Sequence, residues 1–124
     1  MATGTEQTYS ADEIATLLAR DLPRWRFEAG TLRRTYRTAG WKATLMVVNT
    51  IGHLAEAAWH HPDLAISYAS VAVSLSTHSA KGITAKDFAL ARKIEAVVQW
   101  QPGNEGEGLD GTPDDPTAAY IRYD

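Results

Sequence analysis

Hydrophobic residues at the start of the chain recur at helical spacing. Ser10 and Glu13 have the S-x-x-E spacing of a helix capping box, and apolar residues recur three and four apart from Ile14 onward. This pattern predicts a first helix that ends near Asp21, just before Pro23, because proline is excluded from a helix interior.

A β-hairpin is predicted next. Trp25 and Phe27 alternate with arginines, Gly30 supplies a turn, and apolar and polar residues alternate again over residues 32–37. The hairpin carries five arginines, for which a solvated strand face is favoured over a phosphate site. Two strands are therefore expected, the second of them half exposed.

From Trp41 onward, apolar residues again recur three and four positions apart, and this spacing predicts a central helix. This helix is expected to end near Trp59, because Pro62 follows shortly after. Alternation over residues 64–68 and 71–75 then predicts two further strands.

The last regular element is predicted to be a helix opened by Thr84 and Asp87, which again have capping-box spacing. The full order is helix, strand, strand, helix, strand, strand, helix. This order is typical of an α+β fold, with one four-stranded, mainly antiparallel sheet and three helices on one of its faces.

The composition changes sharply after Trp100. Residues 101–116 contain five acidic residues, no basic residue, four glycines and three prolines, so this segment is expected to be irregular. The aromatic segment 118–124 is suited to docking, either on the domain or on a neighbour. The chain thus divides into a domain, 1–100, and an acidic C-terminal extension rich in glycine and proline, 101–124.

Length and composition narrow the class of protein. A chain of 124 residues, 44% of them hydrophobic, can bury one core, and the lack of cysteine excludes disulfides, thiol nucleophiles and thiolate metal sites. A net charge of −3 provides no general attraction for nucleic acid. No apolar run is long enough for a membrane span or resembles a secretory signal. We therefore expect a cytoplasmic protein with neither a membrane nor a nucleic-acid partner.

Four histidines lie between residues 53 and 78. Glu56 precedes His60 by four residues, so on a helix it can orient that imidazole for acid–base catalysis, although an ordinary surface pair has the same spacing. His78 ends the fourth strand, and Asp87 can both cap the last helix and hold His78 in one tautomer. The residues indicate an acid–base site but do not identify its substrate.

The histidine spacing disfavours a metal site. The pattern H-x6-H-H-x16-H lacks the H-x3-H and H-x-H pairs with which two imidazoles reach one ion. Adjacent His60 and His61 would also point in different directions on regular backbone. We therefore expect no metal ion at these histidines.

The residues around these histidines resemble the signature of the pterin-4a-carbinolamine dehydratases. That signature is an acidic residue four before a His-His-Pro, an aromatic about six beyond the proline, a histidine ten further and then an aspartate. The matching residues are Glu56, His60, His61, Pro62, Tyr68, His78 and Asp87. The likeness also covers the strand of Trp25, the strand over 32–37 and the last helix.

The resemblance implies a hydro-lyase, a 4a-hydroxytetrahydrobiopterin dehydratase, which converts 4a-hydroxytetrahydropterin to quinonoid dihydropterin during pterin recycling. By the same resemblance, His60 and His78 would be the acid–base pair, and His61 would bind the pterin.

The supporting roles are also carried over from the resemblance. Glu56 and Asp87 would orient the imidazoles. Trp25 and Pro62 would form walls of the pterin pocket. No metal or bound cofactor is implied.

The resemblance further implies a homo-oligomer, either a dimer or a tetramer. Tyr36, Thr38 and Trp41 stand where members of the family often carry phenylalanine, and the extension 101–124 lies outside the usual short domain. These departures keep open a non-catalytic role, such as a RuBisCO assembly factor associated with carboxysomes or a transcriptional coactivator. A protein partner could then be bound through the extension.

Overall fold

The computed structural model describes residues 6–124, which form one four-stranded sheet with three α-helices. The elements are α1 (Ala11–Asp21), β1 (Arg26–Glu28), β2 (Thr31–Arg37), α2 (Trp41–Ala58), β3 (Asp63–Ser67), β4 (Ser70–Leu75) and α3 (Ala85–Val98). The strand order is β1-β2-β4-β3, and every neighbouring pair is antiparallel. The predicted element order and the α+β class are confirmed.

Capping side chains determine where two of the helices begin. The backbone N–H of Glu13 donates to Ser10 Oγ at 3.1 Å, and the Glu13 carboxylate accepts from the Ser10 backbone N–H at 2.8 Å. Thr84 and Asp87 form the same reciprocal arrangement at the start of α3. Both capping boxes predicted from the sequence are confirmed, and the second has a further role because its aspartate is fully buried.

The core lies on the face of the sheet that the helices cover. Alternate residues of β2 and β4 are buried, as expected for strands with one covered face. Large buried apolar side chains from these strands and from all three helices fill the core, among them Tyr36, Phe88, Ile14, Leu32, Ile51, Leu75 and Ile94. Among residues 6–124, no helix is long and apolar enough to cross a membrane.

One arginine of the hairpin lies inside this core. Arg34 is only 3% exposed, and its guanidinium donates to Glu95 of α3 at 3.0 and 3.3 Å. The same carboxylate accepts from the Tyr36 hydroxyl at 2.6 Å and from the Trp25 indole at 3.0 Å. The prediction of a solvated face was therefore wrong for Arg34, whose charge is balanced by Glu95 and by Asp124.

The C-terminal residues dock on the domain. Ile121 forms an antiparallel bridge with Thr38, and the backbone N–H of Arg122 donates to the Arg37 carbonyl at 2.9 Å. Asp124 accepts from Arg34 at 3.0 Å. These contacts lie just past the end of β2, along an edge that the three-residue β1 leaves uncovered. The sequence left open whether residues 118–124 dock on the domain or on a neighbour. In the structure they dock on the domain of the same chain.

Replacing Ile121 with alanine is expected to lower the free energy of unfolding by about 1–2 kcal/mol, because Ile121 is buried against the domain. Leu109, in the same extension but largely exposed, provides the matched control, and its alanine variant should change stability by less than about 0.5 kcal/mol. Urea denaturation measures both. Equal values for the two variants would show that the extension does not dock in solution.

Candidate functional site

The central helix ends in a left-handed turn that places the histidine pair. Trp59 has φ 52° and ψ 47°, its N–H donates to the Glu56 carbonyl, and the His60 N–H donates to the Ala55 carbonyl. Glycine usually occupies such a position, because a left-handed backbone costs a residue with a side chain roughly 1–2 kcal/mol. The turn directs His60 and His61 away from the helix axis.

His60 is paired with a buried carboxylate. Its Nε2 lies 2.7 Å from Asp87 Oδ1, and Asp87 is fully buried. The other carboxylate oxygen, Oδ2, accepts from the Thr77 hydroxyl at 2.7 Å and from the Thr84 backbone N–H at 2.9 Å. Because the carboxylate accepts all these bonds, the proton between His60 and Asp87 is carried on Nε2. The Nδ1 of neutral His60 is then left as a proton acceptor.

Two threonines extend this pair into the domain. The Thr77 hydroxyl gives its only proton to Asp87, so the Thr84 hydroxyl, 2.7 Å away, donates to Thr77. Thr84 in turn accepts from the Lys86 backbone N–H. All of these groups are supplied by the end of β4 and the start of α3. Thr77 was missed by the sequence analysis, although its position directly before His78 and ahead of a capping box was a usable signal.

His61 forms a separate, solvent-facing pair. Its Nε2 lies 2.6 Å from Glu56 Oε2, and both side chains are about half exposed or more. The planes of the Trp59 and His61 rings are nearly perpendicular, at an angle of 83°, with the centroids 5.0 Å apart. The prediction that Glu56 would reach His60 was wrong. The helix ends at Ala58, and the left-handed turn brings the second histidine back over Glu56 instead.

His78 lies at the start of a short 3-10 turn, His78–Ala80, and is exposed. Within residues 6–124 its ring makes no hydrogen bond, since Asp87 is already bonded to His60. The expectation that Asp87 would hold His78 in one tautomer was therefore wrong. His78 directly follows Thr77 in the chain and so lies next to the buried pair without joining it.

The two predicted pocket walls lie in different surroundings. Pro62 is half buried and follows the histidine pair directly. Trp25 is buried in the core, where it donates to Glu95, and it offers almost no surface to a ligand. Within residues 6–124, the Trp25 indole therefore belongs to the hydrogen-bond network around Glu95.

An apolar groove adjoins His60. It runs between α2 and α3 and has a volume of about 870 Å³. Trp59 and His60 contribute to its wall, and Lys86 and Lys93 are the charged residues along it. Among residues 6–124 no three His, Asp or Glu side chains lie close enough to share a metal ion. The side chains along the groove that can take part in chemistry are His60, Lys86 and Lys93, and the exposed Trp59 indole lies beside them.

The domain is similar to known proteins. Residues 7–97 fit the family model described as "Pterin 4 alpha carbinolamine dehydratase". A protein of Aquifex aeolicus named "Putative pterin-4-alpha-carbinolamine dehydratase" is 46% identical over 79 residues, which is 64% of this chain and 80% of that protein. One of the same name from Chloroflexus aurantiacus is 45% identical over 89 residues, 72% of this chain and 95% of that protein.

A solved structure has the same fold. It is the crystal structure described as "transcriptional coactivator/pterin dehydratase" from Brucella melitensis, and it aligns with a TM-score of 0.68 at 27% identity. The alignment covers 73% of this chain and 98% of that chain. The family model spans the sheet, α1, α2, all of α3 except Val98, and all the histidines of the site, so the chain belongs to the pterin-4-alpha-carbinolamine dehydratase family.

Proposed function

We propose that this protein catalyses the dehydration of 4a-hydroxytetrahydropterin to quinonoid dihydropterin by histidine acid–base chemistry. The observation that carries the proposal is the His60–Asp87 pair. Asp87 holds Nε2 of His60 at 2.7 Å and is itself held by Thr77 and Thr84, so the free Nδ1 has a fixed position and tautomer. A neutral imidazole in that state is a suitable general base near neutral pH.

The reaction needs two proton transfers. The N5–H of the substrate loses its proton, its electron pair forms the C4a=N5 bond, and the C4a–O bond breaks as the hydroxyl receives a proton and leaves as water. We assign His60 as the base for the ring proton and His78 as the acid for the hydroxyl. His61, held by Glu56, and half-buried Pro62 would contact the pterin. Since the nitrogen lone pair weakens the C4a–O bond, positioned proton transfer is sufficient chemistry.

Membership of the dehydratase family supports this proposal, and so do the names of the relatives from Aquifex aeolicus and Chloroflexus aurantiacus. We also propose that the substrate is a pterin and that the reaction uses no bound cofactor. The protein is further proposed to be cytoplasmic and to form a homo-oligomer. A role of Trp25 in pterin binding would require the buried indole to become accessible, and we do not include it in the site.

The test is turnover of freshly generated 4a-hydroxytetrahydropterin, followed by ultraviolet absorbance in a stopped-flow instrument. The protein should exceed the uncatalysed rate by at least about 10²-fold, the effect of positioned acid–base catalysis. His78→Ala should lower kcat about tenfold or more. His53→Ala is the matched control, because His53 is an exposed residue of α2 outside these pairs, and it should leave kcat unchanged.

A second candidate function is a non-catalytic binding role. It is favoured by the description of the Brucella melitensis relative as a coactivator as well as a dehydratase, and by the extension beyond the matched residues 7–97. A folded protein whose rate equals the uncatalysed background would contradict the dehydratase proposal and support this one.

A further inference from the structure

Trp59 combines an unfavourable backbone with a solvent-facing side chain. It ends α2 in the left-handed region, at φ 52°, where a bulky residue is a genuine outlier. Glycine or asparagine would end the helix there with little or no strain. Burial does not explain the choice of tryptophan, because the side chain is 76% exposed. Strained residues that are not needed by the core are concentrated at functional sites.

The position of the ring connects it to the proposed chemistry. Trp59 directly precedes the histidine pair in the chain, its ring is nearly perpendicular to the His61 ring at a centroid distance of 5.0 Å, and it borders the same groove as His60. A perpendicular His61 ring can cover at most one face of the indole, and with the side chain 76% exposed at least one broad face is open to solvent. A flat ligand that approaches His60 along the groove would meet this indole.

We infer that Trp59 is a substrate-binding residue, on whose indole face the flat pyrimidinone ring of the pterin stacks. This inference rests on the proposed dehydratase function and adds a specificity-determining residue to it. A pyrimidinone ring has the π-face of a nucleobase, and stacking of a base on an aromatic side chain commonly changes affinity by about tenfold or more. The turn places the indole beside the histidines before the ligand arrives, so the backbone need not rearrange on binding.

The test compares Trp59→Asn with Trp59→Phe in the full chain. Asparagine tolerates the left-handed backbone but removes the aromatic face, whereas phenylalanine keeps an aromatic face. Trp59→Asn should raise KM about tenfold with kcat within about twofold of wild type, and its melting temperature should be equal or higher because the strain is relieved. Trp59→Phe should keep KM within about threefold.

Binding separates this inference from the dehydratase proposal. Isothermal titration with 7,8-dihydrobiopterin, which has no 4a-hydroxyl to eliminate, should give a Kd about tenfold weaker for Trp59→Asn than for wild type. Wild-type turnover with an unchanged KM and Kd in Trp59→Asn would overturn the inference and leave the dehydratase intact. A loss confined to kcat would show that Trp59 only positions His61, and dissociation of an oligomer with unchanged Kd would assign it to a protein interface. Wild-type protein with neither turnover nor binding would overturn both proposals.

Discussion

Replacing Asp87 with asparagine is expected to lower kcat about 10³-fold while the fold is retained. The amide oxygen can still accept from Thr77 and Thr84, but the amide nitrogen then faces His60 Nε2 and donates to it. His60 must consequently carry its proton on Nδ1. The nitrogen proposed to accept the substrate's ring proton would no longer be a base, and the reversal of a catalytic histidine's tautomer has effects of this size.

The measurement is single-turnover dehydration together with nitrogen NMR of His60, which distinguishes its two tautomers. Because His60 and Asp87 act as one unit, His60→Ala should cause a similar loss, and the double variant should lose little more. Glu56→Gln is the matched control, since it makes the corresponding change beside the exposed His61, and it should lower kcat less than about tenfold. A kcat for Asp87→Asn within threefold of wild type would contradict the assignment of His60 as the base.

Local sequence signals were sufficient for the elements of this fold. The capping boxes at Ser10 and Thr84 located two helix starts, and the alternating residues of β2 and β4 placed the covered face of the sheet. These signals act within a few residues, and they are what the spacing of apolar and polar residues records. The class, the element order and the position of the histidines at the end of α2 could therefore be predicted.

The pairings within the site could not be predicted in the same way. Asp87 lies 27 positions from His60 and nine from His78, and both histidines stand at ends of elements that meet the start of α3. Sequence spacing favoured a pair between Asp87 and His78, the nearer histidine, but in the structure Asp87 is bonded to His60. For Glu56, helical geometry predicted contact with the residue four positions on. That rule no longer applies once the helix ends at Ala58.

The burial of Arg34 in the core could not be predicted from the sequence either. Alternation along the strand placed it on the face of Leu32 and Tyr36, but a charged residue is almost never buried unless it is paired. The pairing residue, Glu95, lies 61 positions away on α3, and Asp124 lies in the C-terminal extension. A long-range ion pair leaves no periodic trace in the sequence. Solvent was therefore the expected environment for the arginine.

The Glu95 network is expected to contribute strongly to stability, and Glu95→Ala should lower the free energy of unfolding by about 3–5 kcal/mol. The substitution leaves buried Arg34 with Asp124 as its remaining acidic partner and removes the acceptor of the Tyr36 hydroxyl and the Trp25 indole. Each donor left unsatisfied in the core carries its own desolvation penalty. Urea denaturation measures the loss. Glu28→Ala is the matched control at an exposed ion pair with Arg26 and should change stability by less than about 1 kcal/mol.

The same network predicts a pH dependence of stability. Burial alone would raise the pKa of Glu95, but the hydrogen bonds from Arg34 and Tyr36 outweigh it, and the pKa of Glu95 lies below its ordinary value of 4.5. A carboxyl whose pKa is lowered by folding stabilises the protein above its unfolded pKa, and this stabilisation is lost as the pH falls through the folded pKa. The difference in unfolding free energy between wild type and Glu95→Ala should therefore be full near pH 7 and decrease progressively below about pH 4.5. A difference that stayed constant down to pH 3 would show that the Glu95 charge does not stabilise the fold, and its contribution would then be packing alone.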